Sequence, residues 1–324
     1  MNTFYWQIKR EFWENRGGFM WAPIVTGVVF LILNVMTIVA AEVMRARHGI
    51  QIGGNNFREL IEKASSGDLL QVGAALDTTM LSSMALLSFV LTFVVFFYCL
   101  GALYDDRRDR SVLFWKSLPL SNTSTVLSKV VSAVVVAPAI AVLVGIAVGL
   151  LQLLIFALVL SFHGINLWEL LTLAHPLRAV ASLLSSIPVY ALWAAPAVGW
   201  LLLCSAWARS KPFLWAVAAP VVAGLMVTWF DIMGVFNLPA TWFWSNIVAR
   251  LLLSVFPGSH IAMDQHSLHH ISSADLGDVH NPLALISPTQ TYAVLASPNL
   301  WIGVAAAVAM IAGAIWFRRV RDDS

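Results

Sequence analysis

Three histidines late in the chain, His266, His269 and His270, have a spacing at which their imidazoles could converge on one metal ion. No Cys ligand and no second ordered cluster accompanies them. The two cysteines, Cys99 and Cys204, lie inside apolar segments, where they behave as small hydrophobic side chains. We therefore predict a solvated loop rich in histidine and no metal, with the three histidines as the alternative site.

A dense block of charge lies between Tyr104 and Lys129, flanked by long apolar segments. Its first part mixes acidic and basic residues, in the order DDRRDR. A short apolar run follows, which Pro119 ends after about two helical turns. Such a segment suits docking onto another protein.

The nucleotide and hydrolase motifs are absent. The sequence has no GxxxxGK[ST] phosphate loop, no GxGxxG turn, no GxSxG elbow and no HExxH helix. We therefore predict that the chain is not an enzyme and carries no cofactor of its own.

Hydrophobic residues make up 59% of the chain and charged residues 11%. This composition predicts a polytopic, all-α membrane protein, whose helices would position the residues described above. Nucleic-acid binding has no support in this composition. About 20 helical residues cross a bilayer core, and six segments are long and apolar enough. We place the spans at 19–41, 78–103, 130–162, 179–206, 213–230 and 300–317 within a single domain, 19–317.

The first eighteen residues are predicted to form an amphipathic helix at the membrane interface. Phe4, Ile8 and Phe12 recur every four positions, and Trp13 flanks them. Aromatic side chains next to basic ones are typical of helices that lie on a bilayer. The alternative is a simple extension of span one. No small-residue cleavage site follows, so we expect no cleaved signal peptide.

The distribution of Lys and Arg predicts the orientation. The N-terminal segment, the loop after span two, the turn after span four and the tail at 318–324 together carry 13 of the 19 Lys and Arg residues. Positive residues favour the cytoplasmic side, so both termini are predicted to be cytoplasmic and the loops at 42–77 and 231–299 external.

The external loops contain further helical patterns. The stretch Thr241 to Gly258 is apolar but interrupted by Asn246 and Arg250, so it fits a helix in the outer interface better than a seventh span. Short helices are also predicted near Phe57 to Ala64 and Pro288 to Leu295.

The spans contain polar residues but no charge near their middle, which argues against an ion-coupled carrier. Ser, Thr, Asn and Gln within them are expected to make hydrogen bonds between helices.

Together, an amphipathic N-terminal helix, six spans, the segment YDDRRDRSVLFWKSLPLSNTSTVLSK after span two and a helical insertion before span six resemble the permease subunit of type-two ABC transporters, in the exporter branch. The architecture covers the whole chain, whereas the sequence-level match covers about twenty-five residues. The sequence departs from the family pattern in its long first external loop and its His-rich segment.

The resemblance implies an ATP-driven exporter in a bacterial inner membrane. Two permease copies and two separate ATPase subunits would assemble within membrane lipid, with ATP and Mg bound by the ATPases. Phe4, Ile8, Phe12 and Trp13 would belong to an elbow helix touching the ATPase. The ATPase contact would comprise charged residues around a cytoplasmic coupling helix: Asp105, Asp106, Arg107, Arg108, Asp109, Arg110, Ser111, Val112, Leu113, Phe114, Trp115, Lys116 and Leu118.

Two other functions remain open from the residues alone. One is an ion-coupled secondary transporter, and the other is a membrane sensor or scaffold whose external His-rich loop binds a ligand.

Overall fold

A computed structural model describes residues 3–48, 66–108, 121–162, 174–234, 239–263 and 286–321. Within these ranges every regular element is helical and no strand occurs. Six helices are long and apolar enough to cross a membrane, which confirms the predicted all-α fold with six candidate spans. These spans run over Gly17–Met44, Leu76–Arg108, Asn122–Val159, Pro176–Trp207, Pro212–Ile232 and Pro298–Val320.

The α-helices of the described residues are α1 (Thr3–Glu14), α2 (Ala22–His48), α3 (Ser66–Ala102), α4 (Tyr104–Arg108), α5 (Asn122–Val131), α6 (Ala137–Phe162), α7 (Pro176–Trp207), α8 (Pro212–Ile232), α9 (Ala240–Phe243), α10 (Ala249–Leu253), α11 (Ser259–Met263), α12 (Pro288–Ala293) and α13 (Pro298–Arg321). Three π-helical turns, Gly17–Trp21, Ser132–Val136 and Trp244–Val248, join helices into longer rods.

Successive spans run antiparallel, so the bundle has two distinct ends. At one end, which we name the charged end, Asp106 in the last turn of span two approaches Arg318 at the end of span six. At the opposite end, which we name the far end, Asp77 near the start of span two accepts a hydrogen bond from the backbone N–H of His175 before span four, at 3.0 Å. The N-terminal helix α1 lies at the charged end, where it contacts α5.

Spans two, three, four and six form the core. Its largest apolar cluster includes Val95, Ala137, Leu201 and Ala314, all fully buried. Of the most apolar part of each span, 61% is buried in span four but only 6% in span one and 17% in span five. Spans one and five therefore flank the core and leave large apolar faces uncovered.

Glycine allows spans two and three to approach closely. A Cβ added at Gly149 would lie 2.9 Å from the carbonyl oxygen of Met80. Two of the π turns immediately precede prolines, Pro23 and Pro138, in the helices that follow. A widened turn accommodates the proline ring, which would otherwise clash with the preceding turn of the helix.

Span three begins eight residues earlier than the hydropathy pattern predicts. Ser121 caps the helix, since its hydroxyl accepts a hydrogen bond from the backbone N–H of Ser124 at 3.1 Å. Lys129, predicted to lie in the loop, is therefore inside a helix and buried. Span six also continues past its predicted end, as α13 extends to Arg321.

Helices occur before span six at both positions predicted from the pattern. The first runs from Ala240 to Leu253 through a π turn, and the Nε1–H of Trp244 donates to the Thr228 hydroxyl of span five at 2.9 Å. The second comprises α12 and a 3₁₀ turn, Val294–Ala296. The predicted helix at 57–64 lies outside the described residues.

The prediction that polar side chains in the spans form hydrogen bonds between helices is wrong for most of the hydroxyl groups. Most span hydroxyls donate instead to backbone carbonyls three or four residues earlier in their own helix, because that carbonyl is always within reach. This group comprises Thr37, Ser82, Ser83, Thr92, Ser185 and Ser186. Gln152 is different, as its amide donates to Asn34 in span one at 3.2 Å.

Candidate functional site: a buried charge network at one end of the bundle

The N-terminal helix α1 contacts the bundle with a polar strip. Gln7 and Glu11 are its buried residues, at 5% and 1% exposure. Phe4, Ile8 and Phe12 flank this strip and are half-buried. The Gln7 side-chain carbonyl accepts a hydrogen bond from the hydroxyl of Ser124 in α5. The helix therefore binds the start of span three through polar groups, while Trp13 stays exposed.

Lys129 is the centre of a charge network. Its Nζ lies 3.1 Å from Glu11 Oε1 and 3.4 Å from Asp106 Oδ2. Asp106 is also 3.4 Å from Nη1 of Arg318. The Tyr98 hydroxyl donates to Glu11 Oε2 at 3.0 Å. These contacts join α1 to the ends of spans two and six and to the start of span three.

The network is largely shielded from solvent. The side chains of Lys129 and Glu11 are 3% and 1% exposed, and those of Arg318 and Asp106 are 8% and 22% exposed. Two charges removed from water are tolerated when each has an opposite charge and further hydrogen bonds. Here Glu11 contacts Lys129, Arg10 and the Tyr98 hydroxyl. Asp106 contacts Lys129 and Arg318.

A break in the helix near the end of span two precedes Asp106. The α3 helix ends at Ala102 and α4 begins at Tyr104. The Ser205 hydroxyl of span four accepts from the backbone N–H groups of Leu103 and Tyr104, at 3.1 and 2.9 Å, and donates to the carbonyl of Leu100. One buried hydroxyl thus forms hydrogen bonds with three backbone groups at the break between the two helices.

Arg107 also attaches α4 to the end of span four. Its guanidinium donates to the backbone carbonyls of Ser205 and, at 3.0 Å, Ala208. These carbonyls lie at the end of span four, where the helix has no further N–H donors to offer them. Arginine near a helix C-terminus is also favoured by the helix dipole.

Glu14, the last residue of α1, extends the network to an exposed position. Arg10 links the two acidic residues of this helix, with Nη2 3.0 Å from Glu11 and Nε 3.3 Å from Glu14. Burial raises the pKa of the Glu14 carboxyl above its ordinary value of 4.5, and the nearby charge of Arg10 acts in the opposite direction.

The structure describes four of the thirteen residues predicted to contact an ATPase. Asp106 and Arg107 make the contacts given above, and Asp105 and Arg108 are exposed. The other nine, Asp109 to Lys116 and Leu118, lie outside the described residues, as do His266, His269 and His270. The described part of the chain holds no group of three or more His, Cys, Asp or Glu residues that could bind a metal. The predicted ATPase contact and the alternative metal site therefore stay predictions.

Sequence analysis did not identify Gln7, Glu11, Tyr98, Lys129 or Arg318 as site residues. Glu11 follows Gln7 by four positions, which places both on one face of a helix beside Phe4. A carboxylate bordering an apolar helical face was the available signal.

Chemically, the arrangement is a junction of opposite charges that joins four elements. Comparison of the chain with protein-family models, with curated proteins and with solved structures finds no match in any of the three.

Proposed function

We propose that this chain is the membrane-spanning subunit of an ATP-driven exporter and receives work from separate ATPase subunits at its charged end. The proposal rests on the resemblance to type-two ABC permeases and on one structural observation. The connection between spans two and three, residues 109–120, is bordered on both sides by residues of the charge network.

The connection is mechanically linked to the charge network. Asp106 lies three residues before this connection, Lys129 lies nine residues after it, and the two side chains are 3.4 Å apart. A displacement of the connection therefore acts on both partners of one ion pair. Through Glu11 and Arg318 it also acts on α1 and on span six.

In the proposed cycle, ATP binding closes two ATPase subunits, and the segment Ser111 to Leu118 moves with them. The charge network passes this motion to α1 and to spans two, three and six. The transport path forms where two copies of the chain meet. Spans one and five, whose apolar faces are uncovered in a single copy, are available for that contact.

The test is deletion of Val112 to Trp115, followed by purification of the chain with its bound partners in mild detergent. We expect the native complex to contain a protein with a GxxxxGK[ST] motif and to hydrolyse ATP, and the deletion to abolish both. A photoreactive amino acid at Phe114 should crosslink to that protein. The same amino acid at Trp242, near the far end, is the matched control and should not.

Three results would overturn the proposal. They are ATP hydrolysis by the purified chain alone, an unchanged ATPase activity after the deletion, and transport driven by an ion gradient without any ATPase. The last result would favour the secondary transporter instead.

A further inference from the structure

A cavity of about 770 Å³ lies between the α1 helix, the π turn that follows it and the final turns of span two. Volumes of about 300 to 1,000 Å³ are typical of small-molecule sites. The exporter proposal assigns no role to this cavity, whose wall includes Glu11, Asp106 and Lys129 of the charge network.

The wall of the cavity has more negative than positive groups. Four carboxylates line it, those of Glu11, Glu14, Asp105 and Asp106, together with the single ammonium group of Lys129. Two further cations act on these carboxylates from outside the lining. Arg10 contacts Glu11 and Glu14, and Arg318 contacts Asp106.

The four carboxylates differ in their access. The Glu11 side chain is 1% exposed and already holds Lys129, whereas the Glu14 side chain is 52% exposed. Asp105 is also exposed. An incoming cation therefore meets Glu14 and Asp105 without breaking the buried pair.

Part of the cavity wall is aromatic. Phe93 and Phe97 line it and are 48% and 56% exposed, while the lining residues Phe19 and Tyr98 are buried. Phe93 and Phe97 lie one turn apart with nearly parallel rings, 21° between planes. Aromatic faces attract ammonium groups and also pack against alkyl chains.

We propose that this cavity binds an amphiphile with a cationic headgroup, of the long-chain alkylammonium class. The ammonium lies between Glu14 and Asp105, and the alkyl chain runs along Phe93 and Phe97. The four carboxylates repel a sulfate or phosphate headgroup. Anionic lipids should therefore not bind, and zwitterionic lipids should bind more weakly than the alkylammonium. Binding needs this chain alone, so the inference does not depend on an ATPase partner.

The test uses a long-chain alkylammonium with a photoreactive diazirine near the end of its chain, added to the purified full-length protein in maltoside detergent. We expect saturable labelling of peptides from α1 and from the Phe93 to Asp106 region, mapped by mass spectrometry. Unlabelled alkylammonium should compete. An alkyl sulfate of the same length, a neutral alkyl maltoside and phosphatidylethanolamine should not.

Two variants test the two halves of the site. Glu14→Gln should weaken binding about fivefold, as expected for a partly exposed ion pair. Phe97→Leu should weaken it about threefold through loss of the ring face. Glu42→Gln, at the far end of span one, is the matched control and should bind like the native protein. Glu14→Asp keeps the charge and should retain most of the affinity.

Thermal unfolding of each variant in the same detergent checks that it is folded. Equal competition by the alkyl sulfate, unchanged affinity in folded Glu14→Gln, or labelling confined to other helices would each overturn the inference. If Glu14→Gln does not fold, Glu14→Asp and the headgroup series decide the outcome. A failure here leaves the ATPase coupling test standing, because that test uses no amphiphile.

Discussion

The two ends of the bundle are held by different contacts. At the charged end, Lys129 joins helices through ion pairs with Glu11 and Asp106. Toward the far end, Arg250 of α10 lies over the Trp193 ring of span four, with its guanidinium carbon 4.2 Å from the ring centroid.

The packing around Arg250 leaves little room for rearrangement. A Cβ added at Gly303 in span six would lie 2.5 Å from its Nη2, so the backbone of span six closes over the guanidinium. The Nε1–H of Trp193 in turn donates to the Ser259 hydroxyl at 3.0 Å. At the charged end, by contrast, Glu11 and Asp106 each have alternative cations in Arg10 and Arg318. The charged end is therefore held by ion pairs with several partners, and the far end by close packing.

The largest predicted effect is that of Lys129→Met at the charged end. The change removes the cation from a buried pair and leaves the Glu11 carboxylate, 1% exposed, with less compensation. Breaking such a pair costs about 3 to 5 kcal/mol. Chemical unfolding of the purified protein in detergent should show this loss.

The matched control is Lys9→Met on the exposed side of α1. Lys9 lies over the Trp6 ring, 4.8 Å from its centroid, so its loss should cost less than about 1 kcal/mol. Equal stability of the two variants would show that the ion pairs do not hold the charged end.

A second prediction concerns the break that positions Asp106. Ser205→Ala removes the acceptor of the Leu103 and Tyr104 N–H groups and leaves both without it. An unsatisfied buried donor costs about 1 to 3 kcal/mol. Because Leu103 is buried but Tyr104 only half-buried, we expect a total loss of about 2 to 3 kcal/mol. Ser210→Ala, at an exposed position, should have little effect on the same unfolding curve. A native-like curve for Ser205→Ala would contradict the role of this hydroxyl.

The spans could be predicted from the sequence because hydropathy depends on local composition. The helix at 240–253 could be predicted for the same reason, with Asn246 and Arg250 marking it as too polar to cross. The start of span three was misplaced because Lys129 was taken to lie outside the membrane. The cap at Ser121 was the local signal for the earlier start.

The charge network could not be predicted in the same way. Glu11, Asp106, Lys129 and Arg318 come from four separate parts of the chain, and their meeting depends on the register of four helices. Local pattern does not fix that register. Asp106 was assigned to a partner contact for this reason, whereas the structure also gives it two cations within the chain.

A third prediction tests the packing at the far end. Gly303→Ala should push the Arg250 guanidinium off the Trp193 ring at a cost of about 2 kcal/mol. In an Arg250→Met background the same change should cost less, since no guanidinium must move. Additive effects of the two changes, measured as a double-mutant cycle of unfolding free energies, would contradict the proposed contact.

The smallest predicted effect is the difference in stability loss between two Tyr→Phe variants, at Tyr98 and at Tyr190. Tyr98 donates to the Glu11 carboxylate at 3.0 Å, and Tyr190 donates to the backbone carbonyl of Val255 at 2.9 Å. Their exposures, 8% and 7%, are nearly equal, so Tyr→Phe removes the same atom from similar burial. A hydrogen bond to a charged group contributes about 1.5 to 3 kcal/mol and one to a neutral group about 1 kcal/mol. Tyr98→Phe should therefore lower the free energy of unfolding by about 1 kcal/mol more than Tyr190→Phe. Equal losses would mean that the Glu11 charge is already satisfied by Lys129 and Arg10, and the two ends would then differ in partners but not in strength.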